Sequence, residues 1–165
     1  MEHVTPVPSR GVRFALAAVA WFNVLSALAG MVGLTIGGGL GLPLAWLEGS
    51  VFTSYFWPGV ILGLVVGGAQ ALALAAQRAR LALAWGLHAA AGLVMMIWIF
   101  VEVAIMLVWS PLHGIYFAAG VVQTVLAVLA LGAWPLPFLR VQSARDAGED
   151  PRPRNGDQGR PRTRA

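Results

Sequence analysis

Four long apolar runs, at residues 14–36, 58–76, 81–109 and 115–136, set the pattern of this chain. Each approaches or exceeds the roughly 20 residues that a helix rising about 1.5 Å per residue needs to cross a hydrocarbon core. The pattern predicts an all-α membrane fold, a four-helix transmembrane bundle over residues 12–139. A short N-terminal segment (1–11) precedes it, a tail (140–165) follows it, and a partly ordered loop joins helices 1 and 2. The first run shares features with a secretory signal peptide, because Arg10 and Arg13 precede it and Ala27-Leu28-Ala29 mimics a cleavage box. The apolar run continues past Ala29 and three more spans follow, so an uncleaved first helix is the expectation.

Within the runs, small and polar residues recur at helical spacing. Gly59, Gly63 and Gly67 stand four apart in the second span, followed by Ala71 and Ala75. Membrane helices associate through such close-approach faces, either within a bundle or between two copies. Gln70, three turns from Gly59, is expected on the same face. In the third span His88, Gly92, Met95, Ile99, Glu102 and Met106 form one stripe, and in the fourth His113, Tyr116, Gly120, Gln123 and Ala127 form another. Unsatisfied polar groups are costly in lipid, so these stripes should face inward.

Composition agrees with the spans. Charged residues make up 11% of the chain, against about 25% in an ordinary soluble domain. All eleven basic residues are Arg, and they fall before the first span, between the second and third, or after the fourth. With alternating spans they share one side, which the positive-inside rule assigns to the cytoplasm. The expectation is a multi-pass protein of the cell membrane with both termini cytoplasmic and residues 37–57 and 110–114 facing outward. Seven Arg lie in the tail, whose Pro, Gly and Asp content predicts disorder and a weak electrostatic hold on anionic headgroups. No basic surface interleaved with aromatics tracks a nucleic-acid backbone, so no nucleic-acid partner is expected.

Candidate chemistry is sparse. Cysteine is absent, which excludes disulfides, thiolate metal sites and thiol nucleophiles. Glu102 is the one acidic residue inside a predicted span, about 10 Å below Trp109. A carboxylate there must be protonated, paired or hydrated, and His113 and Tyr116 are the donors at its level. It serves either as a ligand anchor or proton-carrying group, or as a structural carboxyl satisfied by neighbouring helices. Glu48 and Tyr55 of the first loop are placed near the rim of the same site. His88 and His113 lie at different depths, too far apart for one bis-histidine haem. Glu48, Glu102 and His113 have no close-spaced metal motif, so no metal or cofactor is expected. No nucleophile elbow, phosphate loop or zinc-peptidase motif is present, and the sequence leans away from an enzyme.

The first loop and its surroundings resemble a recurring pattern in small four-span bacterial membrane proteins of unassigned function. The similarity is carried by "WLEGSVFTSYFWPG" (46–59), by Trp98 with Glu102, and by Tyr116-Phe117 with Gly120. Val51 departs from the pattern where Pro would stand. The architecture alone is also similar to that of DoxX-like membrane proteins. The resemblance implies a four-span fold and brings no activity. From the residues, the expected function is an outward-facing cavity for a lipid, quinone-like or other small amphipathic ligand, with proton-coupled movement of it as an extension. The alternative is an assembly subunit that docks a membrane-protein partner or a second copy.

Overall fold

A computed structural model of the chain describes residues 8–132. The expectations for residues 1–7, the end of the fourth span and the Arg-rich tail lie outside the described residues. Four helices follow in order: α1 (Arg10–Thr35), α2 (Phe56–Arg78), α3 (Ala84–Met106) and α4 (Pro111–Ala130). Each is long and apolar enough to cross a membrane, and no strand occurs among the described residues.

Local chemistry fixes the helix ends. Ser9 caps α1, its hydroxyl accepting from the Val12 N–H at 3.3 Å. Ser110 caps α4, and Pro111 follows at N1, where its missing N–H costs no hydrogen bond. Helix α3 stops at Met106, three residues short of the apolar run's end at Trp109, because Leu107 turns into the left-handed region at φ 51°. Hydropathy does not register that turn. Residues 111–114, expected in a loop, instead form the first turn of α4.

Adjacent helices run antiparallel, each packing on the next, and α4 closes the ring against α1. Gly59, Gly63 and Gly67 all face α1: a Cβ on Gly59 would lie 2.8 Å from that of Leu34, one on Gly63 would collide with Met31, and one on Gly67 would press on Ala27 at 3.2 Å. Between α3 and α4 the approach is tighter still. A Cβ on Gly92 would meet the Gly120 carbonyl oxygen at 2.7 Å, and one on Gly120 would meet the Gly92 carbonyl oxygen at 2.8 Å. The glycines let backbones touch, which is how helices cohere where lipid supplies no hydrophobic drive.

Gln70 departs from the face expected for it. A π-helical stretch, Leu62–Gly67, interrupts α2 and widens its turn by one residue. Beyond it the register has rotated, so Gln70 meets Gln123 of α4 and the Ala91 carbonyl of α3 while the glycines stay on α1. The stripe His88, Gly92, Met95 and Ile99 of α3 faces inward and is buried. Large side chains such as Phe14, Leu64 and Phe100 point outward, a surface suited to lipid rather than water.

The two ends of the bundle differ. Arg10, Arg13, Arg78 and Arg80 gather at one, termed the arginine end. The other, the loop end, carries residues 36–55 with two short 3-10 turns, Gly38–Gly41 and Leu44–Leu47. Tyr55 pins this loop. Its ring packs so closely on Gly39 that a Cβ there would lie 2.9 Å away, and its hydroxyl donates to the Pro43 carbonyl at 2.8 Å. Burial raises the Tyr55 pKa above the usual phenol value, so the hydroxyl remains a donor. Ser50 braces the next turn by donating to the Leu47 carbonyl (2.8 Å) and accepting from the Phe52 N–H (3.1 Å).

Candidate functional site

Beneath the loop, two apolar cavities of about 340 and 220 Å³ lie on either side of one stretch of α3. Trp98, Glu102 and Met106, at four-residue steps on that helix, line both. Leu34 of α1 and Leu42 of the loop also touch both, while His113 and Tyr116 of α4 line only the larger. Mostly apolar walls with a few convergent polar groups are the usual make-up of a small-molecule pocket.

The polar pair in that wall is built by a helix cap. Ser110 and His113 form a capping box at the start of α4, in which the His113 Nδ1 accepts the Ser110 backbone N–H at 3.0 Å. An accepting Nδ1 leaves the proton of neutral imidazole on Nε2. That nitrogen faces Glu102 Oε2 at 3.9 Å, the one ion-pair contact among the described residues. At that separation the two groups attract but do not hydrogen-bond directly. A hydroxyl of a third molecule can bridge such a gap, accepting from Nε2 and donating to the carboxylate.

Of the sequence-derived candidates, Glu102, His113 and Tyr116 come together. Tyr55 lines only the smaller cavity, and its hydroxyl is taken by Pro43. Glu48, expected near the rim, does not itself line either cavity, although its neighbours Trp46 and Leu47 do. The turn Leu44–Leu47 buries Leu47, and Gly49 follows in the left-handed region (φ 84°), leaving Glu48 exposed to solvent. Among the described residues no three His, Cys, Asp or Glu side chains cluster in a way that could hold a metal ion.

A second polar cluster lies deeper, between the cavities and the arginine end. Asn23, Gln70, His88 and Gln123, one from each helix, are fully buried. Gln123 accepts from Asn23 Nδ2 (3.2 Å), and its own amide donates to Gln70 Oε1 (2.7 Å) and approaches His88 Nδ1 (3.3 Å). Gln70 donates on to the Ala91 carbonyl at 3.2 Å. His88 Nε2 meets Gln77 Oε1 at 2.7 Å, and Gln77 donates to the Arg13 carbonyl at 2.8 Å. One donor pattern satisfies these bonds together: neutral His88 with its proton on Nε2. Asn23 Oδ1 is the single buried side-chain acceptor without a partner among the described residues. Val66, Met95 and Ile99 pack between this network and the Glu102 cavities.

Sequence reasoning missed Asn23 and Gln77. Asn23 is a lone amide in the first run, but it shares the spacing of Leu16, Ala20 and Ala27, which are all buried. That register is the signal that would have found it. Gln77 was lost because the apolar run ends at Ala76, one residue before it, whereas the helix continues to Arg78. Compared with protein-family models, curated proteins and solved structures, the chain matches none.

Proposed function

We propose that this chain is an integral membrane protein of the cell membrane that binds a small amphipathic molecule, lipid or quinone-like, in the loop-end cavities. The apolar body would lie among Leu34, Trp98 and Met106, and the polar head between Glu102 and His113. One observation carries this reading: a carboxylate and a cap-oriented imidazole face each other at 3.9 Å in the wall of a largely apolar cavity of about 340 Å³. Proton-coupled movement of the ligand is an extension of the same reading, since carboxyl and imidazole groups inside membrane helices are the usual members of proton relays. Arg10, Arg13, Arg78 and Arg80 share one end, so the positive-inside rule puts that end in the cytoplasm and the cavities in the outer leaflet.

Native mass spectrometry of the full chain, extracted in mild detergent, tests the proposal. A discrete bound mass that is lost in Glu102→Gln supports it. Co-purification of a protein partner or a second copy, with no small molecule, would favour an assembly role instead. That role has lost one support, because Gly59, Gly63 and Gly67 are occupied by α1 within the bundle.

A further inference from the structure

The arginine end holds a second site of different chemistry. Arg13, Arg78 and Arg80 line one groove of about 290 Å³ between α1 and α2, together with Trp21 and Gln77. Arg13, Gln77 and Arg80 also wall an adjoining groove of about 530 Å³, which Trp85 lines as well. No carboxylate among the described residues neutralises these guanidinium groups. Glu102 pairs with His113 at the loop end, and Glu48 belongs to the loop itself.

Helix dipoles do not explain the cluster. Arg78, in the last turn of α2, sits where a cation is favoured, but a helix C-terminus supplies only about half a negative charge. Arg13 lies in the first turn of α1, at the positive end, where a cation is disfavoured and no acidic residue is present. Arg80 is held against its own backbone preference. It adopts φ 55° just after α2, a left-handed position usually given to glycine. At the corresponding turn after α4 the chain uses Gly132, φ 67°, whose N–H bonds back three residues just as that of Arg80 does.

The spacing of these groups is fixed. Gln77 ties the Arg13 carbonyl to α2 at 2.8 Å and is itself held by His88 at 2.7 Å. Arg78 reaches over the Trp21 ring, 5.9 Å from its centroid, and Trp21 is 44% exposed. A half-exposed tryptophan beside arginines is the arrangement of a membrane interface, where lipid phosphates lie. We propose that these grooves bind the phosphate of an anionic lipid headgroup, with Arg13 and Arg80 as its principal donors and Arg78, steadied by Trp21, as the third charge. The proposal rests on reading the chain as a membrane protein, but it is independent of any ligand in the loop-end cavities.

The test uses the full chain in detergent, with short-chain phosphatidylglycerol, phosphatidylcholine and inorganic phosphate as probes and bound mass as the readout. Phosphatidylglycerol should bind in preference to phosphatidylcholine. Arg13→Gln and Arg80→Gln should each weaken it about fivefold, the worth of one arginine near a charged headgroup. Arg10→Gln removes the same charge from outside both grooves and should change binding less than about twofold. Arg80→Gly separates binding from folding: it relieves the left-handed backbone, so thermal stability should hold or rise while phosphatidylglycerol binding falls about fivefold. Equal losses at all three arginines would reduce the effect to general surface charge and overturn the proposal. So would equal binding of the two lipids, or a loss of stability in Arg80→Gly that accompanies the loss of lipid. Inorganic phosphate binding as tightly, with the same arginine dependence, would overturn the lipid assignment in favour of free phosphate.

Discussion

The bundle contains two buried polar regions, and they are built on opposite terms. In the central network four fully buried side chains, one from each helix, exchange hydrogen bonds, and Asn23 Oδ1 alone lacks a partner. At the loop end Glu102 and His113 stand 3.9 Å apart beside about 340 Å³ of cavity. A polar group whose bonds close within the protein specifies one packing of the helices. A polar pair 3.9 Å apart, set beside volume the protein leaves unfilled, has the make-up of a small-molecule pocket. Polarity in a membrane span therefore does not by itself indicate function. What separates the two regions is the cavity beside Glu102 and His113.

The largest expected effect falls on the network. Gln123→Leu strands the Asn23 amide, Gln70 Oε1 and His88 Nδ1 at once, and each buried unsatisfied group costs about 1–3 kcal/mol. Partners found in the membrane-unfolded state soften the sum, so a loss of about 3 kcal/mol is expected in a detergent unfolding titration. Any ligand retained at the loop end should survive wherever the variant remains folded. Next comes Gly92→Ala. Its new methyl would press on the Thr124 hydroxyl and the Gly120 carbonyl and should cost about 2 kcal/mol in the same titration, because backbone as well as a side chain must yield.

A smaller effect of a different kind is expected from Glu102→Gln. The amide keeps the shape of the carboxylate, so unfolding should shift by less than about 0.5 kcal/mol. Retention of the proposed amphipathic ligand, read by native mass spectrometry, should fall about tenfold, the effect of one lost charged hydrogen bond. If unfolding shifted as far as for Gln123→Leu, the contrast between the two regions would collapse. Smallest of all is Glu48→Gln. This exposed loop residue lies outside both cavity walls, and its replacement should leave stability and retention unchanged within error.

Much of the fold was legible because helices long and apolar enough to cross a membrane announce themselves through uninterrupted apolar length. Their ends were less so. The end of α3 depends on the left-handed turn at Leu107, and the start of α4 on the Ser110–His113 cap, neither of which a hydropathy pattern registers. Glu102, His113 and Tyr116 could be grouped because depth along a helix is readable from residue count. The side on which Glu48 lies could not be read, because loop conformation is not: the turn that buries Leu47 turns Glu48 outward. The network was half visible. Gln70, His88 and Gln123 showed as polar interruptions, but only the π-turn in α2 brings Gln70 round to Gln123. Gly59, Gly63 and Gly67 could be read as a packing face, whereas their partner, α1, required the three-dimensional arrangement.

The most direct test of the binding claim is photocrosslinking from inside the cavities. A benzophenone amino acid in place of Trp98, which lines both cavities, is compared with the same residue at Leu64 on the outward surface. The expected result is one discrete small-molecule adduct at position 98 that disappears with Glu102→Gln, and an unchanged spread of bulk-lipid adducts at position 64. The same bulk-lipid spread at both positions, indifferent to Glu102, would contradict the account.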